Sequence, residues 1–416
     1  MIWRSRPTAV LVAVILGGAL LRLGSIAAGP GYPGDLILFQ EWSARMANGG
    51  PGQFYRVAQV GTYPPGLLYL LWPLGAWPGG VPTVVIRALS IPFDLAIALI
   101  VFALVRRVQA PGPALVAAAA YALNPALALM GPFWGQVNAI AELPLLLALV
   151  AAARGRHVWA GAFAATAAMI KPQMALGLAV LLVAAAAVAI KRRDPRPLVA
   201  TSASALLTAV VLAIPFAPTP ETIGMIARGA TTSFSTLFAF NIWAIAVGFL
   251  VRDDVLWLSL PIWFWGLAFF AVALVILARR LWILVPRDRL AASFESDLAM
   301  LLAFGTLFGL AFYELPTRMH ESYLFPVFAL LVPFVVRSRL AATAYVVFSL
   351  VLAISVLFAF THQRQTGVVA DPFIEQTLFD PAAIILAVFA SLGAAGALAA
   401  MWLTRRPDLG RSVHCT

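Results

Sequence analysis

The sequence is that of an all-α polytopic membrane protein, and three observations lead there. Of 416 residues, 62% are hydrophobic and 11% charged, where soluble domains carry about 25% charge; a water-soluble enzyme is excluded. The mean hydropathy is +0.94. A spanning helix needs roughly 20 apolar residues, so a bundle of about twelve transmembrane helices fills most of the chain and leaves modest loops. No polar stretch or Gly/Ser- or Pro-rich linker divides it, so 1–416 is one integral membrane domain.

The formal charge of +11 does not point to nucleic acid, because the basic residues come in short pairs between apolar runs, as topology signals do. The single cysteine, Cys415, allows no internal disulfide and no cysteine-based metal site. The N-terminus, with Arg4 and Arg6 before an apolar run to Leu21 and then Ser25-Ile26-Ala27-Ala28, has signal-peptide character. It is taken as a retained first span, since the rest of the chain requires an N-in start.

Spans are expected at 7–28, 83–105, 112–131, 137–153, 157–170, 173–190, 198–217, 256–280, 297–314, 321–336, 340–361 and 381–403. The run 66–79 is short, bracketed by Pro64-Pro65 and Pro78 and interrupted by Pro73, and is expected to lie along the surface. Charge supports this. If 66–79 does not cross, 19 of the 28 Lys and Arg fall on the cytoplasmic side, among them Arg106, Arg107, Arg154, Arg156, Lys191 to Arg193, Arg289 and Arg411, and eight fall outside, among them Arg228 and Arg364. If it crosses, the bias reverses. The positive-inside rule therefore places both termini in the cytoplasm. Two external loops, 29–82 and 218–255, are longer than connection requires, and long ordered loops are usually functional. Acidic residues such as Asp35, Glu41, Glu142, Glu221, Asp253, Asp254, Glu314 and Glu321 lie on or near that side.

The first long loop opens Gly34-Asp35-Leu36, with Phe39, Trp42 and Met46 at helical spacing, which predicts an amphipathic helix lying at the interface. Asp35 at its start is either an N-cap for the free first-turn amides or a catalytic base at the membrane surface. Glu41 lies about 240° round the helix from Asp35, so the two do not face one site; it stands among the substrate-binding candidates. Thr62-Tyr63-Pro64-Pro65-Gly66 cannot continue a helix; it is a rigid turn, or a wall in which Tyr63 faces a sugar or lipid headgroup. Gln136, just before the fourth span, joins the substrate-binding candidates.

Lys171 separates two apolar runs. The run before it rises only about 21 Å against roughly 30 Å of hydrocarbon, so Lys171 is recessed, either snorkelling or awaiting a lipid phosphate. The polar knot Glu314 to Tyr323 holds Arg318, His320 and Glu321, which form a solvated loop or a phosphate site, since Arg and His both donate to anionic oxygens. The other histidines (His157, His362, His414) show no ligand spacing for zinc, and no metal is expected. Arg87 and Asp94, about two turns apart in one span, are functional intramembrane charges or a structural pair, with each other or with Arg22. Asn241 and Trp243 suit a sugar as hydrogen-bonding and stacking partners, or serve as interfacial anchors.

Taken in order, Gly34-Asp35 after the first span, Tyr63-Pro64-Pro65, Asn241-Ile242-Trp243 and Met319-His320-Glu321 resemble the GT-C superfamily of membrane glycosyltransferases. The likeness is greatest to the dolichyl- and polyprenyl-phosphate-sugar-dependent glucosyl- and mannosyltransferases, and it runs from about residue 7 to 330. It implies a GT-C-like bundle with interfacial helices in the first external loop. A catalytic core at 1–255 would then be joined by helices at 256–416 that complete the donor-lipid site. It also implies inverting transfer of a hexose from a polyprenyl-phosphate donor to a glycan or glycolipid acceptor on the external face, with Asp35 as base and His320-Glu321 near the donor phosphate. The chain departs from the pattern at Ser322, where many bacterial relatives carry a basic residue, and in a shorter second loop, which leaves donor and acceptor identity open.

The chemistry fits those residues independently. A polyprenyl phosphate leaves well, so cations to hold its charge suffice without an acid, and one carboxylate can deprotonate the acceptor hydroxyl. That matches Asp35 with Lys171, Arg318 and His320 as phosphate-binding residues, and needs no cofactor. Two alternatives stand beside it: a protein or lipid A-type O-glycosyltransferase of the same fold, and a transporter or flippase for lipid-linked sugars, which would show related halves. No repeat of the first loop occurs in the C-terminal half.

Overall fold

The computed structural model describes residues 2–57, 63–217, 219, 224, 233–288, 293–363, 366–367 and 371–410, with side chains from residue 7 onward. Thr62, Glu221, Arg228, Arg289, Arg364, Arg411, His414 and Cys415, and the side chains of Arg4 and Arg6, lie outside the described residues.

Among the described residues, nine helices are long and apolar enough to cross a membrane: Pro7–Ala27, Thr83–Val108, Pro111–Phe133, Pro172–Lys191, Arg196–Phe216, Ile262–Leu284, Phe294–Glu314, Arg339–His362 and Pro381–Thr404. The chain is an all-helical, multi-pass membrane protein. Against an expectation of about twelve spans, the other three apolar runs are shorter helices, Asn138–Ala153, His157–Ile170 and Glu321–Phe334. Prolines explain the last, since Pro326 and Pro333 break it into a 3-10 turn, one short α-helix and a second 3-10 turn. Enclosure explains the first: Asn138–Ala153 is buried along nearly its whole length. A helix surrounded by helices has no lipid thickness to match.

The run 66–79 folds into the single helical turn Leu68–Leu71 and the 3-10 turn Pro73–Ala76, too short to cross. The amphipathic helix of the first loop is present as Pro33–Gly49. Its apolar face is turned into protein, however, with Phe39, Trp42 and Met46 at most 1% exposed and Trp42 set edge-on to Phe54 and Tyr63. Packing of an amphipathic face against protein supplies most of a helix's stability in a folded chain.

One further boundary is corrected, and two sets of contacts are fixed. The segment 256–261 is a tight antiparallel hairpin, and the helix starts at Ile262, behind Pro261. Loops 234–238 and 317–320 are zipped together by parallel pairing of Thr236 with Met319 and Leu237 with His320. Arg87 does not pair with Asp94. Arg22 does, at 3.1 Å with both side chains fully buried, and Tyr121 links Asp94 (3.3 Å) to Glu142 (2.7 Å). Charge in an apolar interior must be paired, and Arg22 reaches the carboxylate because Gly18 lets its helix lie against Ala122.

Candidate active site

Asp35 occupies the first turn of Pro33–Gly49 but does not cap it; Tyr32 holds the cap position and makes no side-chain cap bond. The carboxylate instead accepts hydrogen bonds from Trp134 Nε1 at 2.7 Å and from Gln136 Nε2. Those donors come from the turn 132–137, and the sequence builds this approach with two glycines. Gly31 (φ +83°) and Gly135 (φ +106°) adopt left-handed backbone, and a Cβ on either would come within 2.7 Å of Leu36. Tyr32 N–H closes the join on Trp134 O at 2.7 Å, and the Tyr32 and Trp134 rings stack at 4.4 Å. Arg87 holds both sides of it, donating Nε to Pro132 O (2.7 Å) and Nη1 to Gly29 O (2.6 Å).

Behind Gln136 lies Lys171, 1% exposed. Its Nζ donates to Gln136 Oε1 at 2.7 Å and to Asn138 Oδ1, and stands 5.8 Å from the Tyr63 ring centroid. Asp35, Gln136 and Lys171 thus form one hydrogen-bonded chain, from carboxylate through amide to ammonium. Burial brings Lys171 down to about 8, opposed by the charges of Asp35 and Glu321. Burial raises the Asp35 carboxyl above its ordinary range, opposed by the Trp134 bond, the Lys171 charge and the Gln136 bond. This reverses the direction expected from first-turn amides alone, because desolvation of a half-buried carboxylate outweighs its donors here. His320 is pushed down to about 4 by burial and by Lys171, so its imidazole is neutral at pH 7.

A cavity of about 1210 Å³ opens onto these groups. Asp35, Tyr63, Gln136, Arg318, His320 and Glu321 all line it. Lys171 does not: it is a buried charge behind the wall. Arg318 sits on left-handed backbone (φ +67°), its N–H bonded to Phe234 O and Ser235 O at 3.0 Å, and its Nε donates to Asp253 Oδ2 at 2.5 Å. One edge of the guanidinium is thereby fixed by the second long loop. The cavity continues along apolar residues of two helices, Leu176 and Ala179 on one and Trp263, Leu267, Phe270 and Leu274 on the other.

Three candidates lie elsewhere. Glu41 pairs with Arg45 at 3.7 Å on the half-exposed side of its helix, as its angular offset from Asp35 requires. Asn241 is fully buried; its Oδ1 caps Ile242–Ala246 by accepting from Trp243 N–H, and its Nδ2 donates to Tyr313 O. Trp243 Nε1 donates to Leu315 O at 2.7 Å. Both are spent on holding loop to helix, which leaves them no group for a sugar. The residues missed are Tyr32, Trp134, Asn138 and Asp253. Trp134, Gln136 and Asn138 alternate with Gly135 and Val137 between two apolar runs, a polar break that carried a signal.

Apolar helices thus enclose one cavity lined by a half-buried carboxylate, an arginine and a histidine. The family model "Glycosyltransferase family 87" matches residues 62–309, and the chain belongs to that family. Among solved structures, the chain is similar to the Archaeoglobus fulgidus oligosaccharyltransferase in its apo form (13% identity, TM-score 0.47). It is similar also to the oligosaccharyltransferase AglB of that organism in complex with an inhibitory peptide and a dolichol-phosphate (14% identity, TM-score 0.47). Each alignment covers 97% of this chain and 56% of the other, so the chain spans little over half the length of those proteins. No curated protein matches it.

Proposed function

We propose that this glycosyltransferase is an inverting enzyme that moves a hexose, mannose or glucose, from a polyprenyl-phosphate donor to a lipid-linked or glycan acceptor at the external membrane face. The observation that carries the reading is one cavity with a carboxylate, a guanidinium and an imidazole at its polar end and an apolar arm between helices. From Trp263 to Leu274 that arm follows about 16 Å of helix, room for the first part of a lipid tail. In the reaction, Asp35 takes the proton of the acceptor hydroxyl, whose oxygen forms the new bond to the anomeric carbon. The bond from that carbon to the phosphate oxygen breaks, and polyprenyl phosphate leaves with the electron pair. Arg318 and His320 donate to the phosphate as its charge grows, and Lys171 adds fixed positive charge from behind, effective because the surroundings are poorly solvated. Glu321, Tyr63 and Gln136 shape the sugar pocket, and segments 1–255 and 256–416 each supply part of it.

The test uses the purified protein in nanodiscs with polyprenyl-phosphate mannose and glucose. Asp35→Asn keeps size and hydrogen-bond acceptance yet cannot take a proton, so transfer should fall by roughly 10²–10⁴ with donor binding little changed. Near-wild-type transfer by this variant overturns the assignment and makes Glu321, the other carboxylate on the cavity, the next to examine.

A further inference from the structure

The segment that precedes the helix Ile262–Leu284 is apolar and exposed. Val255, Leu256, Trp257, Leu258 and Leu260 are 45, 68, 48, 70 and 39% exposed. They form the antiparallel hairpin in which Leu256 faces Pro261 and Trp257 faces Leu260. Five large apolar side chains on one projection form a patch that water does not favour. The projection is held firmly. Ile262 N–H donates to Val255 O at 2.9 Å, Trp265 Nε1 donates to Trp257 O at 2.7 Å, and the two indoles meet edge to face at 5.6 Å.

What covers the patch follows from its continuity with the helix. Trp263, Phe264, Leu267, Val272, Val275 and Ile276 are exposed along one spanning helix, the face a span offers to lipid, and the hairpin prolongs that face past the helix end. Tryptophans gather where a span meets the headgroups. Just before the hairpin, Arg252 and Asp254 form an exposed ion pair, a polar boundary to the patch. Trp263 and Leu267 are exposed and also line the cavity, as does the exposed Leu250, so the cavity opens sideways toward lipid beside the hairpin. Asp253, 1% exposed, joins this rim to Arg318 through the bond to Nε.

We propose that the hairpin at 255–261 is seated in the lipid layer as the lip of the cavity's lateral mouth, admitting the donor's chain there while Asp253 holds Arg318 at the same mouth. The admission of a lipid donor rests on the function proposed above; the seating in lipid does not. Two measurements keep these apart. In a Cys415→Ser background, spin labels at Leu256→Cys and at Arg252→Cys are compared in phosphatidylethanolamine/phosphatidylglycerol nanodiscs. Collisions with oxygen, which partitions into lipid, should exceed those with a water-soluble nickel chelate at 256 and fall below them at 252. Nickel exceeding oxygen at 256 overturns the seating.

The second measurement compares Leu256→Ser/Leu258→Ser with wild type for two ligands. The dissociation constant for a long-chain polyprenyl phosphate should rise about tenfold, the scale of losing one or two apolar contacts, while that for a water-soluble short-chain prenyl phosphate stays unchanged. Equal loss for both ligands, or loss for neither, overturns the role as a lip. If wild type binds neither phosphate, the donor reading fails, and the oxygen-to-nickel ratio still decides where the hairpin sits.

Discussion

Asp35 and Lys171 are set against each other by burial, and their titration should shape the pH dependence of the reaction. The base acts as carboxylate, so kcat/KM should fall as pH drops through the raised Asp35 value. Lys171 is charged below about 8 and neutral above it, so the cation behind the phosphate is lost on the alkaline side. We expect a bell-shaped profile of kcat/KM, which reports the free enzyme. Lys171→Met should remove the alkaline limb, lower the plateau and move the acid limb upward, because Asp35 loses a charge that favours its ionised form. An unchanged alkaline limb in Lys171→Met would assign that limb to another group. The sequence made Asp35, Tyr63, Gln136, Arg318 and His320 visible as polar residues beside spans, and the structure places them on one cavity. Trp134 and Asp253 stayed hidden, since nothing local says that a tryptophan almost a hundred positions from Asp35 folds onto it, or that one acid of a long loop meets Arg318.

The turn 132–137 decides how well the carboxylate is aimed, and it rests on Gly135 and Arg87. Gly135→Ala forces a Cβ to 2.7 Å from the Leu36 side chain on left-handed backbone, a strain of about 1–3 kcal/mol. Displacement of Trp134 and Gln136 should follow. The expected result is a lower melting temperature together with a loss of kcat that exceeds any change in donor affinity, measured on the same nanodisc preparation. A fall in stability with unchanged kcat would show that the aim of Asp35 does not depend on the turn. Elements of this kind are where periodicity stops being informative. Apolar runs marked the long helices to within a few residues, but not the breaks at Asn124-Pro125 and after Ala88, nor the hairpin at 256–261. Those depend on which backbone groups find partners in the assembled bundle. The helix Pro33–Gly49 was legible from its pattern, whereas the surface covering that pattern turned out to be protein rather than lipid.

Across the whole chain, hydropathy was the strongest signal and orientation follows from charge alone. Asn138–Ala153 escaped a rule based on bilayer thickness because its neighbours, not lipid, surround it. The placement of 19 basic residues on one side and eight on the other predicts cytoplasmic termini, with the cavity at the external end. The prediction is decided by two single cysteines in a Cys415→Ser background. Trp77 is 45% exposed in the segment that packs beside the helix of Asp35, and it has ordinary backbone (φ −66°), so Trp77→Cys adds no strain of the kind a change at Gly80 (φ +94°) would. Arg156, exposed in the turn between Asn138–Ala153 and His157–Ile170, should lie on the opposite side. In intact cells, an impermeant maleimide should label Trp77→Cys directly and Arg156→Cys only after permeabilisation. The reverse pattern would turn the molecule over, put Asp35 on the cytoplasmic side and require a donor presented from that leaflet. Labelling of both from outside would mean that Asn138–Ala153, the one short helix between the two labels, does not carry the chain across, and would remove it from the count of crossings.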